Sequence, residues 1–176
     1  MRIINLLRKK TQHKHTVDES NLLSIEVDKT ILLNNKTWKI KKIIEYTWGE
    51  GIFSYDYIID DGKSIAYLGI EKNKDNLVLS IKSDVNIDLI DSTLKIHIQK
   101  NEVPPRTINY NGIQFYFDRE SVGKSKIENA IDWTVLTVWE FIDNKNKNVL
   151  TIEQYSDKEI FCSIGCIISI SEISII

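Results

Sequence analysis

Between Phe53 and Glu71 the chain reads FSYDYIIDDGKSIAYLGIE, and its side chains alternate: Phe53, Tyr55 and Tyr57 fall to one side of an extended backbone, Ser54 and Asp56 to the other. Period two is the mark of a strand, because successive side chains of a pleated chain point to opposite faces. The alternation breaks at Asp60-Asp61-Gly62 and resumes at Ile65, which predicts a β-hairpin. With Asp61-Gly62 as a two-residue turn, Asp60 falls opposite Lys63, Tyr57 opposite Ala66 and Tyr55 opposite Leu68, leaving one face apolar throughout. Such a segment folds only as part of a sheet that buries that face.

The pattern recurs. Asp56-Tyr57-Ile58-Ile59-Asp60 is matched by Glu140-Phe141-Ile142-Asp143, Leu68-Gly69-Ile70-Glu71 by Leu150-Thr151-Ile152-Glu153, and Leu77 to Ile81 by Ile160 to Ile164, at offsets of 84, 82 and 83 residues. An asparagine turn and an aromatic strand precede each copy, Asn35 to Ile40 and Asn111 to Phe117. This period is too long for a solenoid, whose repeats run about 20–50 residues, and it predicts a duplicated β-meander. Composition agrees with the class: the chain has 31 isoleucines and two alanines, and the β-branched residue suits a pleated surface where a helical protein leans on alanine and leucine.

The expected fold is therefore mainly β: two related antiparallel β-meanders packed as a sandwich or partly open barrel, with one short helix. The helix is placed near Ile127, where Ser125-Lys126-Ile127-Glu128 has the form of a capping box and Ile127, Ala130 and Ile131 share a helical face. The middle, Ser83 to Gln99, alternates twice with a slip of phase at Ile90 and is read as one or two bridging strands. Pro104-Pro105 marks the break between halves. The tail from Ile160 to Ile176 is read as a final strand. Residues 1–21 form a basic polar arm in this scheme, and 22–176 a single β domain of two halves, about 22–100 and 106–176.

Charge narrows the function. Residues 1–16 hold Arg2, Arg8, Lys9, Lys10 and Lys14 and no acid, so the remainder carries 18 basic and 25 acidic side chains. An acidic body repels phosphate backbones, which argues against nucleic acid. The arm's start, MRIINLLRKK, is too short to span a bilayer; it suits a short amphipathic surface helix with weak membrane-surface contact through residues 1–14. Cys162 and Cys166 lie four apart on a strand, roughly 13 Å, which excludes a mutual disulfide. Three histidines with no Cys/His spacing suggest no metal site. Gly123-Lys124-Ser125 suggests a phosphate loop, but the glycine such a loop needs five positions earlier is Asp118.

Two sets of side chains remain. Asp56, Glu71, Glu140 and Glu153 recur at matched positions and are expected on a solvated sheet face. The tryptophans Trp38, Trp48, Trp133 and Trp139 are expected mostly in the core, with Trp48 and Phe53 beside the Gly49 to Gly51 loop as the binding residues. No catalytic residue, metal ligand or cofactor is expected.

The run Trp38-x-Ile40, Tyr55-Asp56-Tyr57, Tyr67-Leu68-x-Ile70-Glu71, Asn111-Gly112-x-x-Phe115-Tyr116, Trp139-Glu140-Phe141, Leu150-x-Ile152-Glu153 and Phe161 to Gly165 resembles the bacterial domain of unknown function 4178 over about Leu22 to Ile175. Tyr67 stands where that family commonly has tryptophan. The resemblance implies a bacterial setting beside membrane-stress and phage-shock-type proteins and brings no catalytic residues with it. The expected function is a non-catalytic binding or adaptor module of the bacterial cytoplasm, its arm peripheral to the inner membrane and its partner another protein. The alternatives are an enzyme using the paired carboxylates Asp56, Glu71, Glu140 and Glu153, or a small-ligand carrier.

Overall fold

A computed structural model describes residues 15–16, 18–73, 76–156 and 158–176. The amphipathic helix expected at the start of the chain lies outside them. In chain order the elements are β1 (His15–Thr16), α1 (Glu19–Leu23), β2 (Thr30–Leu33), β3 (Lys36–Thr47), β4 (Phe53–Asp60), β5 (Ile65–Asn73) and β6 (Asn76–Asp84). Then come α2 (Ile87–Ile90), α3 (Leu94–Asn101), β7 (Thr107–Tyr110), β8 (Ile113–Ile127), β9 (Thr134–Asp143), β10 (Asn148–Tyr155), β11 (Ile160–Ile168), a 3-10 turn (Ile170–Glu172) and β12 (Ile173–Ile175). The fold is mainly β, and every pairing is antiparallel.

The strands follow the order β1-β12-β2-β3-β4-β5-β6-β11-β10-β9-β8-β7, and β3 pairs with β8 as well. That pairing joins Ile44 through Thr47 to Ile127 through Lys124 and brings the eight strands from β3 round to β8 into a ring. A partly closed barrel results, with β2, β12, β1 and β7 as flaps at its seam.

The two meanders share a register. Tyr57 lies opposite Leu68 and Leu68 opposite Ile81; Phe141 lies opposite Leu150 and Leu150 opposite Ile164. Both begin with a tight asparagine turn of positive φ, Asn34-Asn35 and Asn111-Gly112, the backbone twist that a two-residue hairpin favours. An aspartate caps the main loop of each: Asp61 accepts hydrogen bonds from the amides of Lys63 and Ser64 (2.9 and 2.7 Å), and Asp143 from those of Lys147 and Asn148 (2.8 and 3.1 Å).

These caps correct the first hairpin. Asp61 spans a four-residue loop and not a two-residue turn, so Asp60 pairs with Ile65, Ile59 with Ala66 and Tyr55 with Ile70. The slip is two residues, and each side chain therefore keeps its expected face.

Two apolar clusters cover the outside of the ring, and a third, Tyr46, Leu136 and Val138 with Trp48, fills part of its interior. Tyr57, Ile59, Leu68, Ile70 and Leu79 pack under Leu22 of α1, Ile31 and Leu33 of β2, and Ile173 of β12. Trp139, Phe141, Leu150 and Ile152 pack under Ile87, Leu94 and Ile98 of the two helices and Ile108 of β7. Trp139 is 1% exposed and its indole donates to Glu120 at 3.0 Å. Both cysteines are free; Cys162 is buried and Cys166 half-buried, and burial pushes the Cys162 thiol up to about 12.

Three further expectations are corrected. Ser125 to Ile127 are strand, not helix: their backbone groups find partners on β3, and a sheet ladder overrides a local capping pattern. Ser83 to Gln99 is not a pair of strands. After Asp84 it is α2 and α3, with the Asn86 side chain accepting from Asp88 N at 2.9 Å and Asp91 from Thr93 N at 2.8 Å. The tail is two strands, split by a 3-10 turn that Ser169 and Glu172 cap reciprocally.

The halves meet where β6 crosses β11, with Lys82 opposite Gly165. A Cβ on Gly165 would strike the Ile81 carbonyl oxygen and come within 2.7 Å of Lys82 Cα. Gly165→Ala is thus expected to force β6 and β11 apart and destabilise the protein by about 3 kcal/mol, lowering the melting temperature by about 10 °C. An unchanged thermal unfolding curve by circular dichroism would contradict so close a crossing.

Candidate functional site

Alternation sends every second side chain of the ring inward, and the inward set combines charged and polar groups with Val78, Val138, Ile142, Val149 and Ile167. A cavity of about 430 Å³ is lined by Asp56 of β4, Glu71 of β5, Ser80 and Lys82 of β6, Arg119 and Ser121 of β8, Glu140 of β9, and Thr151 and Glu153 of β10. The four carboxylates expected on a solvated outer face therefore face the lumen. A strand's polar face looks the same in sequence whether it meets bulk water or an enclosed cavity, and ring closure decides between them.

Two clusters organise the charges. In one, Arg119 donates through Nη1 to Glu71 Oε1 at 2.7 Å, through Nη2 to Glu71 Oε2, and through Nε to Glu140 Oε2. The planar guanidinium matches both oxygens of a carboxylate at once, a fork that lysine cannot reproduce. Glu71 holds the guanidinium charged first, with Glu140 adding to it. A β-bulge sets Arg119 there: the β8–β9 register shifts between Phe117 and Arg119, so Phe117 packs with the outer cluster while Arg119 turns inward.

In the second cluster Lys82 Nζ lies 3.5 Å from Asp56 Oδ2, with both side chains about 10% exposed. The Tyr46 hydroxyl donates to the same oxygen at 3.4 Å. A Cβ on Gly69 would stand 2.7 Å from Ser80 Oγ and 2.9 Å from Asp56 Oδ1, so glycine there makes room for the carboxylate. Burial works against the Lys82 charge, but Asp56, Glu153 and Glu140 surround it and hold its pKa above the ordinary value.

Glu153 accepts a hydrogen bond from the Tyr155 hydroxyl at 3.0 Å. Burial within the ring pushes its carboxyl up to about 7, against the pull of Lys82 and with the help of Asp56. Its oxygens touch the cavity while the wall excludes bulk water, which is why it is half-buried by surface and strongly desolvated. A smaller cavity of about 170 Å³ continues past Tyr46, Asp56 and Glu153 to Tyr67, Asp84 and Tyr155, where the Tyr67 hydroxyl donates to Asp84 at 2.8 Å. Thr151 lines the main cavity, is 2% exposed, and its Oγ1 has no hydrogen-bond partner.

Of the expected binding residues, Trp48 is half-buried on the cavity wall, stacked on Tyr46 at 5.6 Å with its indole donating to Ser54 Oγ at 2.9 Å. Phe53 is 45% exposed and, next in sequence to the inward Ser54, lies on the opposite face. The two rings do not form one patch. Gly123, Lys124 and Ser125 are strand residues paired with β9. Sequence reasoning missed Tyr46, Lys82, Arg119 and Thr151. The charged run Asp118-Arg119-Glu120 after three aromatic-rich alternations was the one local sign of the bulge. Among the described residues no cluster of His, Cys, Asp or Glu is arranged to hold a metal, and no helix is long and apolar enough to cross a membrane.

Glu153 carries a pH signature. Its folded pKa stands above the unfolded value, so as pH rises the unfolded chain loses this proton first and the folded state loses stability from about 4.5 to about 7. Glu153→Gln is therefore expected to stabilise the protein at about pH 8 relative to about pH 5, on the order of 2 kcal/mol after allowance for water in the cavity. Urea unfolding of both proteins at the two pH values measures it; an equal change at each would remove Glu153 as the titrating group.

A family model described as a domain of unknown function (DUF4178) matches residues 26–169, the span from just before β2 to just after β11. No curated protein and no solved structure matches the chain significantly. The whole ring, with every carboxylate and cation of its cavity, falls within the matched span, and the chain belongs to the DUF4178 family.

Proposed function

We propose that this chain is a non-catalytic binding module that holds a small molecule inside its strand ring. One observation carries the proposal: two apolar clusters lie on the outside of the ring, and the interior, beside the small cluster of Tyr46, Leu136 and Val138, holds a cavity of about 430 Å³ that brings charged groups of six strands together. That volume lies in the usual range for small-molecule sites. Enclosed ion pairs contribute little to stability compared with apolar packing, so a polar lumen makes sense as a binding feature.

The matched registers of the two meanders support an internal duplication, which sets the cavity at the junction of two related halves. Trp48 belongs to the site as part of its wall. Phe53, exposed on the outer side of the same loop, is where a protein partner would meet the module. The bacterial cytoplasm is the compartment that fits a free thiol pair on β11.

A second function is favoured by Glu153, whose elevated pKa near three other carboxylates suits acid–base chemistry. It ranks below binding because the other three are engaged: Arg119 holds Glu71 and Glu140, and Lys82 faces Asp56. A two-carboxylate mechanism needs a second group free to exchange a proton.

A thermal-shift screen of a metabolite library against the full chain tests both. Binding inside the ring is expected to raise the melting temperature in proportion to the logarithm of ligand concentration. The effect should vanish in Ser121→Trp, which fills the lumen, once circular dichroism has shown that variant to be folded. Ligands that stabilise the variant equally would rule out the interior site, and consumption of a hit that Glu153→Gln abolishes would establish the enzyme instead.

A further inference from the structure

The charge balance of the cavity and one unpaired hydroxyl point to the class of ligand. Asp56, Glu71, Asp118, Glu140 and Glu153 line the cavity against two cations, Lys82 and Arg119. Both cations are already spoken for, Arg119 by its two glutamates and Lys82 by Asp56. An anionic ligand would have to displace these internal partners and meet uncompensated carboxylates in a region of low dielectric, where like charges repel strongly. A cation meets the opposite field.

Thr151 supplies the second, independent observation. Its side chain is 2% exposed, it lines the same cavity, and its Oγ1 lacks a partner. A buried hydroxyl without a hydrogen bond is costly, and native structures retain few of them. Thr151 and Glu153 are two apart on β10, so both side chains point into the lumen from one strand at a spacing of roughly 7 Å. That is the spacing of their backbones; oxygens on a short and a long side chain can close to the roughly 5 Å at which one ammonium group, with its several donors, reaches both. Val138, Ile142, Val149 and Ile167 line the rest of the cavity and suit an aliphatic body.

We propose that the cavity binds a small organic cation, an ammonium on an aliphatic chain, with its charged end between Thr151 and Glu153 of β10. This rests on the binding-module function proposed above and specifies the chemistry of that site.

The test uses three probes of one size and different charge, n-butylammonium, 1-butanol and butyrate, titrated into the ¹⁵N-labelled full chain while amide resonances are followed. Butylammonium is expected to shift cavity-lining residues saturably, in the millimolar range proper to so small a ligand. It should bind about tenfold tighter than butanol, with no saturation by butyrate. Thr151→Val and Glu153→Gln should each weaken it about tenfold while leaving the remaining spectrum in place. The threonine variant serves if the other fails to fold. Butanol or butyrate binding in the cavity as well as butylammonium would overturn the cation and leave the interior site standing. Butylammonium binding that survives both substitutions would overturn its placement. If none of the three shifts the cavity residues, the interior site falls with it.

Discussion

Four residue pairs, Ile44 through Thr47 against Ile127 through Lys124, decide what kind of object this chain becomes. Without that ladder the strands from β3 to β8 would form an open, twisted sheet with an apolar face under its flaps and an acidic face toward water. With it, the acidic face is wrapped round on itself and becomes a lumen. The elevated pKa of Glu153, the elevated pKa of Lys82 and the engagement of Arg119 by two glutamates all follow from that enclosure. The Lys82 and Asp56 side chains, each about 10% exposed, have little access to solvent and find their partners on other strands.

The enclosure also explains why most of the apolar core sits outside. A small closed barrel usually fills its interior with side chains and leaves water on its outer surface. Here the outer face of each meander is roofed by elements drawn from beyond it. α1, β2 and β12 cover one side, and α2, α3 and β7 cover the other. Large apolar side chains along the outer face of both meanders make those roofs necessary, since each one buried contributes about 1.5–3 kcal/mol relative to exposure. Folding free energy thus comes from the roofs, and the lumen is left available for chemistry. Moving a charge out of water costs several kcal/mol before its partner's attraction repays it, so a polar lumen adds little stability and the roofs supply most of it.

Shared register reinforces the geometry. The ladder Tyr57–Leu68–Ile81 and the ladder Phe141–Leu150–Ile164 place their residues in the same order. Asp56 and Glu140 accordingly occupy corresponding places on opposite walls, as do Glu71 and Glu153. The partners break the equivalence: Arg119 reaches Glu71 and Glu140, whereas Lys82 lies between Asp56 and Glu153. One pair of acids is clamped by a cation that cannot lose its proton, and the other pair shares its field with a single lysine. The proton-exchanging group is in the second.

The sequence by itself determined the strands, their faces and the repeated order of hairpins, because period-two alternation, asparagine turns and a surplus of isoleucine act over a few residues. The slip in the first hairpin kept every face for the same reason. Tertiary structure decided what local pattern could not. Ser125 to Ile127 carry the form of a helix cap, yet β3 stands beside them with unpaired backbone groups, and a ladder across the ring outweighs one cap. Val85 to Ile98 alternate like a strand, yet Asn86 caps α2 and Asp91 holds the turn into α3, two helices that the second apolar face needs as cover. Above all, an acidic residue on the face opposite the apolar one reads identically on an open sheet and within a closed one. Whether Asp56, Glu71, Glu140 and Glu153 face water or one another depends on the meeting of β3 with β8, strands that are some eighty residues apart in sequence, and no pattern within either strand encodes that distance.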